Sequence, residues 1–203
     1  RACKVCQSGK YSTYPVNACL DCDPGHYLND DSQDASEHDN SDDCSECSRG
    51  KYSSAAAALC TICPAGRYTS SLSSSSCTTC GAGRYLSDTG TDPSKHDAEA
   101  DCTVCGAGKF LSDTGTAPSK HDDEADCTPC VAGKYLSDDS STVHKHDAES
   151  DCSICGAGKY SPGQGSISCT DCEAGKYLRN AGTDAKKHNQ ETDCSICLLV
   201  VFF

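Results

Sequence analysis

The sequence predicts a small disulfide-rich fold, an elongated linear array of short β-ribbon and turn modules with little helix. Three observations predict it. The 203 residues hold 20 cysteines, and every one falls in a C-x-x-C pair. The nine loops between successive pairs all open on one motif, glycine, a basic residue and an aromatic. Leu, Ile, Val and Phe number only 24, and six of those are the last six residues, Leu198 to Phe203. That is too little apolar material to offset the conformational entropy of an ordinary globular core. Without its cysteines such a chain would be disordered and acidic. Cysteine at this density belongs to a disulfide scaffold in an oxidising compartment, so the predicted location is extracellular or at a cell surface.

The charge balance narrows the partners. There are 30 acidic against 17 basic side chains, a formal charge of −13. Nucleic acid and anionic membranes demand clustered Lys and Arg, and here the basic residues are scattered, so neither is expected as a partner. The chain contains no Met, which implies either a removed leader or a piece of something longer. No signal peptide is visible, and no stretch approaches the roughly 20 apolar residues that cross a bilayer. A membrane connection is expected only through an anchor missing from this chain.

The ten pairs are Cys3/Cys6, Cys19/Cys22, Cys44/Cys47, Cys60/Cys63, Cys77/Cys80, Cys102/Cys105, Cys127/Cys130, Cys152/Cys155, Cys169/Cys172 and Cys194/Cys197. They divide residues 1–197 into nine modules with loops 7–18, 23–43, 48–59, 64–76, 81–101, 106–126, 131–151, 156–168 and 173–193, followed by the apolar segment 198–203. Five loops have 21 residues and four have 12 or 13. Self-similarity at this period is the signature of a repeat architecture.

In each loop the glycine stands three residues after the cysteine, as in Gly108-Lys109-Phe110 and Gly133-Lys134-Tyr135, and it permits a positive φ in a tight turn. The aromatic is the one large side chain common to all modules, so it is expected to cover a neighbouring disulfide as a miniature core. Loop length is marked at the next position. Long loops carry Leu28, Leu86, Leu111, Leu136 or Leu178, and short ones Ser12, Ser53, Thr69 or Ser161. All five long loops then place a histidine six residues before the next cysteine (His38, His96, His121, His146, His188) and an aspartate immediately before it (Asp43, Asp101, Asp126, Asp151, Asp193). No segment has helical apolar periodicity, so two-stranded ribbons and turns are expected, with one helical turn at most over Ala55 to Leu59.

Sequence alone does not choose among the connectivities of 20 cysteines. The scheme that serves all nine loops alike bonds the second cysteine of each pair to the first of the next: Cys6–Cys19, Cys22–Cys44, Cys47–Cys60, Cys63–Cys77, Cys80–Cys102, Cys105–Cys127, Cys130–Cys152, Cys155–Cys169 and Cys172–Cys194. Joining whole pairs two by two would close alternate loops only. Each bridge closing a loop of this size contributes about 3 kcal/mol in the chain-entropy model. The rival is zinc, because the spacing also fits zinc ribbons. The sequential scheme leaves Cys3 and Cys197 without partners. Head-to-tail self-association through these chain ends, with Cys197 of one copy bonded to Cys3 of the next and the tail Leu198 to Phe203 docked beside them, is therefore expected, and it builds an open filament unless it closes into a ring.

The run Cys-x-x-Cys-x-x-Gly-x-Tyr-Ser followed by a polar loop, with Cys63-Pro64-Ala65-Gly66-Arg67-Tyr68-Thr69 its closest instance, resembles the ephrin-receptor-like cysteine-rich repeat family, related in pattern to tumour-necrosis-factor-receptor modules. The resemblance covers residues 3–197. It implies an extracellular disulfide-laddered rod with similar second-to-next-first bridging, as in surface proteins of single-celled eukaryotes. The near-identical repeats from 77 to 155 differ from the individualised modules of receptor ectodomains, which favours a structural role over a receptor-like ectodomain binding a protein ligand.

No catalytic constellation is present, and no enzyme activity is expected. The Gly-Lys steps are followed by Tyr or Phe and make no phosphate loop. Calcium is the one cofactor considered, with Asp97, Glu99 and Asp101 as candidate ligands; the plainer reading is no cofactor and a solvated acidic loop. The serine runs Ser70-Ser71 and Ser73 to Ser76, with Ser140-Ser141-Thr142, are candidates for O-linked glycan, against the plainer reading of flexible loops.

Overall fold

A computed structural model describes residues 5–13, 16–30 and 35–196. Among these residues there is no α-helix, and the regular structure consists of two-stranded antiparallel ribbons, nine in all, with single 3-10 turns between them. The register explains the C-x-x-C spacing. The basic and aromatic residues of each opening form one strand, and the two residues inside the next C-x-x-C form the other. Lys51–Tyr52 pairs with Thr61–Ile62, Lys51 opposite Ile62 and Tyr52 opposite Thr61. Lys109–Phe110 pairs with Thr128–Pro129 in the same register. The second cysteine of the pair then donates its N–H to the opening glycine, as from Cys63 to Gly50 (2.9 Å) and from Cys130 to Gly108 (2.8 Å).

Nine disulfides run in series, one closing each loop, from Cys6–Cys19 to Cys172–Cys194. Each joins the second cysteine of one pair to the first of the next, for example Cys63–Cys77 and Cys130–Cys152. The terminal residues Cys3 and Cys197 and the tail 198–203 lie outside the described residues.

The chain forms two units. One contains the residues up to Cys80 together with Leu86–Cys102 and Ala117–Asp122; the other contains Gly81–Tyr85, Thr103–Thr116 and everything from Asp123 onward. The same stacking rule operates inside each. The opening glycine of one module donates its N–H to the residue after the aromatic in the next: Gly50 to Thr69 (2.9 Å) in the first unit, Gly108 to Leu136 (2.9 Å) in the second. The aromatic lies on the disulfide of the next module. Tyr68 packs on Cys80–Cys102 and Leu86, Tyr85 on Cys105–Cys127 and Leu111, and Phe110 on Cys130–Cys152 and Leu136. The core is thus distributed, one aromatic, one leucine and one bridge at a time.

Ala55 to Leu59 forms no helical turn, within the sequence expectation of one at most. Ala56 takes a positive φ of 58° and gives its N–H to the Cys22 carbonyl at 3.0 Å, so the segment is spent tying its loop to the preceding module. The long loops are more ordered than ribbons and turns alone would make them. Each carries two 3-10 turns, such as Pro93–Lys95 and Glu99–Asp101. These are held by local side-chain caps rather than by apolar periodicity, which is why the hydrophobic pattern does not reveal them.

The opening glycine answers to space as well as to φ. At Gly108 (φ +79°) a Cβ would lie 2.1 Å from the Gly165 carbonyl oxygen, in the module two further along. Gly158 has a similar φ of +75° but nothing within 4 Å of its Cβ direction. Gly158→Ala is therefore expected to lose about 1–2 kcal/mol for the left-handed backbone alone. Gly108→Ala should lose about 1–3 kcal/mol more for the clash. Thermal melting of the two oxidised variants checks this order.

Candidate functional site

Among the described residues, a constellation of polar side chains that the fold gathers and repeats lies in the long loops, at the joint between modules. Its construction begins eight residues before the histidine. There Asp88 turns back on its own loop, its Oδ1 accepting the N–H groups of Gly90 (3.0 Å) and Thr91 (3.2 Å). Asn180 does the same with Gly182 and Thr183, both at 3.0 Å. A side-chain oxygen mimicking a turn carbonyl is the ordinary use of Asp and Asn in such a bend. The 3-10 turn that follows, Pro93–Lys95 or Ala185–Lys187, delivers the histidine as its C-cap.

The histidine is buried. His96, His121, His146 and His188 are 0% exposed and His38 2%. The ring of His96 sits between two modules, with Nδ1 2.8 Å from the Arg67 carbonyl of the preceding module and Nε2 2.9 Å from Asp88 Oδ1 in its own loop. Its main-chain carbonyl accepts the Thr69 N–H at 2.9 Å. Ring and backbone thus grip the same strand of the neighbour, on either side of Tyr68. His146 repeats this on Lys109 (2.9 Å), Leu111 (2.8 Å) and Asp138 (3.1 Å). His188 grips Lys159 (2.8 Å) and Ser161 (2.7 Å), with Asn180 (2.9 Å) in place of the aspartate. His38 meets the Lys10 carbonyl at 2.7 Å and lies 2.9 Å from Asp30 Oδ2. Short loops complete the main-chain part of the joint without the ring: Ser74 O accepts from Ser53 N–H (3.2 Å) and Ser166 O from Leu136 N–H (3.0 Å).

Other charges are spent locally. The hydrogen bond from His96 holds the Asp88 carboxyl well below the ordinary carboxylate range, against the upward push of desolvation and with help from the Thr91 and Gly90 N–H groups. For Asp138 desolvation pushes upward, but His146, Lys145 and the Thr142 N–H together hold it below the ordinary value. Glu191 and Glu173 raise Lys176, and burial followed by Glu124 raises Tyr85. Lys109–Glu124 (2.9 Å) and Lys134–Glu149 (3.1 Å) are surface pairs that add little stability.

Of the acidic residues that the sequence marks as calcium candidates, Asp101 has a local role in the loop. Asp101, the acid before its cysteine, accepts the Ala98 N–H at 2.8 Å and caps the second 3-10 turn; Asp151 does the same for Ala148 at 2.9 Å. Asp97 is half-buried and Glu99 exposed. Among the described residues no three His, Cys, Asp or Glu side chains converge as metal ligands. The histidine at the centre of this acidic loop is buried, while Glu99 is exposed. The aspartate or asparagine eight residues before that histidine escapes the sequence reading, although the spacing is the same in all five long loops and is the signal that finds it.

The sequence profile of the family described as Tyrosine-protein kinase ephrin type A/B receptor-like matches residues 50–97, about a quarter of the chain. No curated protein matches the chain. The match and the ladder of nine disulfides in repeated modules agree with a cysteine-rich repeat family, a receptor-like module family rather than an enzyme family, and they point to an extracellular or secreted domain. No helix among the described residues is long and apolar enough to cross a membrane.

Because the Asp88 carboxyl is depressed in the folded chain, its contribution is complete above the ordinary carboxylate value and is lost only as pH falls through the lowered one. The Gly90 and Thr91 amides should therefore stay protected from exchange throughout the ordinary carboxylate range on acidification. In Asp88→Ala both should exchange freely at every pH.

Proposed function

We propose that the chain is an extracellular structural protein, a disulfide-laddered rod, spacer or filament subunit at a cell surface. The observation that carries this reading is what the repeated residues are used for. The opening glycine, the aromatic, the residue after it and the long-loop histidine all face a neighbouring module. Little in the repeat is reserved for anything outside the array. Arrays in which each repeat contacts its near neighbours extend along one dimension, the form that a spacer needs.

A second reading, a receptor-like ectodomain binding a protein ligand, is favoured by the family matched over residues 50–97. It calls for module-specific exposed aromatic or basic side chains. Five basic residues of the openings, Lys10, Lys109, Lys134, Lys159 and Lys176, are instead paired with acids of the array, as Lys159 with Asp171 at 2.7 Å and Lys176 with Glu191 at 2.9 Å.

Small-angle scattering separates an extended array from a globule. A compact domain of this length has a radius of gyration of about 17 Å. The spacer reading expects a clearly larger value from the oxidised monomer, and a value near 17 Å would sink it.

A further inference from the structure

We propose that modules eight and nine present a docking face for the first module of a second copy of this chain, with Tyr177 lying on the Cys6–Cys19 bridge of that copy. This docking rests on the filament reading above and supplies the contact that such a filament needs.

The face is defined by contacts that the other modules make and module nine does not. In each of the first eight modules the opening glycine donates its N–H to the residue after the aromatic in the next, from Gly9 to Leu28 (2.9 Å) through Gly158 to Leu178 (3.0 Å). In the same eight the residue after the aromatic donates to a carbonyl of the next loop, from Ser12 to His38 through Ser161 to His188, both at 2.7 Å. In module nine the N–H groups of Gly175 and Leu178 have no partner among the described residues, and they are donors that a neighbour or water must satisfy. A Cβ added at any of the first seven opening glycines would come within 3.1 Å of the main chain two modules on, whereas Gly158 and Gly175 meet nothing within 4 Å. Those seven are buried, Gly158 is half-buried and Gly175 is exposed. Among the nine opening aromatics only Tyr177 is exposed, and the contact its ring makes is with the Arg179 guanidinium of its own loop, 5.3 Å from the centroid. Ile196 is 68% exposed where Ile62, Val104 and Ile154 hold the same place half-buried.

The same stacking rule names the occupant. A module that follows another offers it a bridge for the aromatic, the carbonyl after its own aromatic for the glycine, and a loop carbonyl for the residue after the aromatic. Module one presents such a bridge uncovered. Among the described bridged cysteines Cys19 alone is exposed, and every other one is buried or half-buried. Further along the chain the aromatic of the preceding module does the covering, as Tyr68 does for Cys80–Cys102 and Tyr85 for Cys105–Cys127. The chain thus holds one aromatic with no bridge beneath it and one bridge with no aromatic over it, and two copies in sequence satisfy both. Ser12, which follows Tyr11, is then the residue whose carbonyl takes the Gly175 N–H. The contact is heterologous, so each added copy leaves the same two faces free for the next. Both copies are acidic, at −13 each, while the contact is built from main-chain, aromatic and sulfur atoms. Salt therefore strengthens it by screening the repulsion between copies.

The experiment is sedimentation equilibrium of the whole oxidised chain over a range of protein concentrations, at low and high salt, with any free thiol alkylated so that only non-covalent contacts count. Reversible association that strengthens with salt is expected, and hydrogen exchange at the Gly175 and Leu178 amides should slow as it proceeds. Tyr177→Asp should weaken the association about tenfold or more. Tyr177→Phe should keep it, since Phe110 fills this place over Cys130–Cys152. Val131→Ser removes another exposed apolar side chain, in module seven, and should leave the association unchanged. A chain that stays monomeric at every concentration would overturn the docking, and so would association that ignores Tyr177→Asp, falls equally with Val131→Ser or leaves both amides exchanging freely. A monomer that does not associate, yet has a radius of gyration well above that of a globule, overturns the docking and leaves the spacer reading standing.

Discussion

Everything in this chain depends on the closure of each loop by its own disulfide. A loop of 12 to 21 polar residues has no apolar means of bringing its ends together, and the bridge does so covalently. Once it is closed, the two residues inside the following C-x-x-C lie opposite the basic and aromatic residues of the opening, and a two-residue ribbon forms. The ribbon fixes the aromatic, the aromatic covers the next bridge, and the glycine N–H is aimed at the next module. A ribbon this short would be unstable by itself in water. The covalent closure is what lets so small a unit persist and be copied.

The modules come in two lengths and are interchangeable at the joint. What the following module must supply is one main-chain carbonyl for the N–H of the residue after the aromatic. The carbonyls of Ser74 and Ser166 supply it in short loops, and those of His96, His146 and His188 in long ones. The longer excursion brings a leucine, buried in all five long loops, and a buried ring that bonds the previous module a second time. The position of the leucine is held in short loops by Ser53, Thr69 and Ser161, also buried, whose hydroxyls find partners such as the His26 carbonyl for Ser53 and Ser166 for Ser161. Length thus varies while the contact surface stays constant, which allows short and long modules to follow one another in any order.

The sequence disclosed what is periodic and covalent. Ten pairs, nine openings and the leucine or serine marker were legible because each recurs at fixed spacing and each has one evident physical use. The long-loop interior was not. His96 sits in a run of Asp, Glu, Lys and Ser that reads as solvated surface, and its burial depends on the carbonyl of Arg67, 29 residues away in sequence. The glycine was legible as a positive-φ residue, but not as the place where the backbone of the module two further along approaches Gly108. Contacts between modules are made largely by main-chain atoms, and main-chain atoms leave no trace in composition.

The measurement that tests this account most directly is the disulfide map of the native oxidised protein, obtained by proteolysis between the modules and mass analysis of the linked peptides. The account predicts bridges from the second cysteine of each pair to the first of the next, with Cys105 found bonded to Cys127 and Cys130 to Cys152. Bridges that close alternate loops only, or free thiols with a bound metal, would contradict it, because the ribbons, the covered disulfides and the joints all follow from that closure.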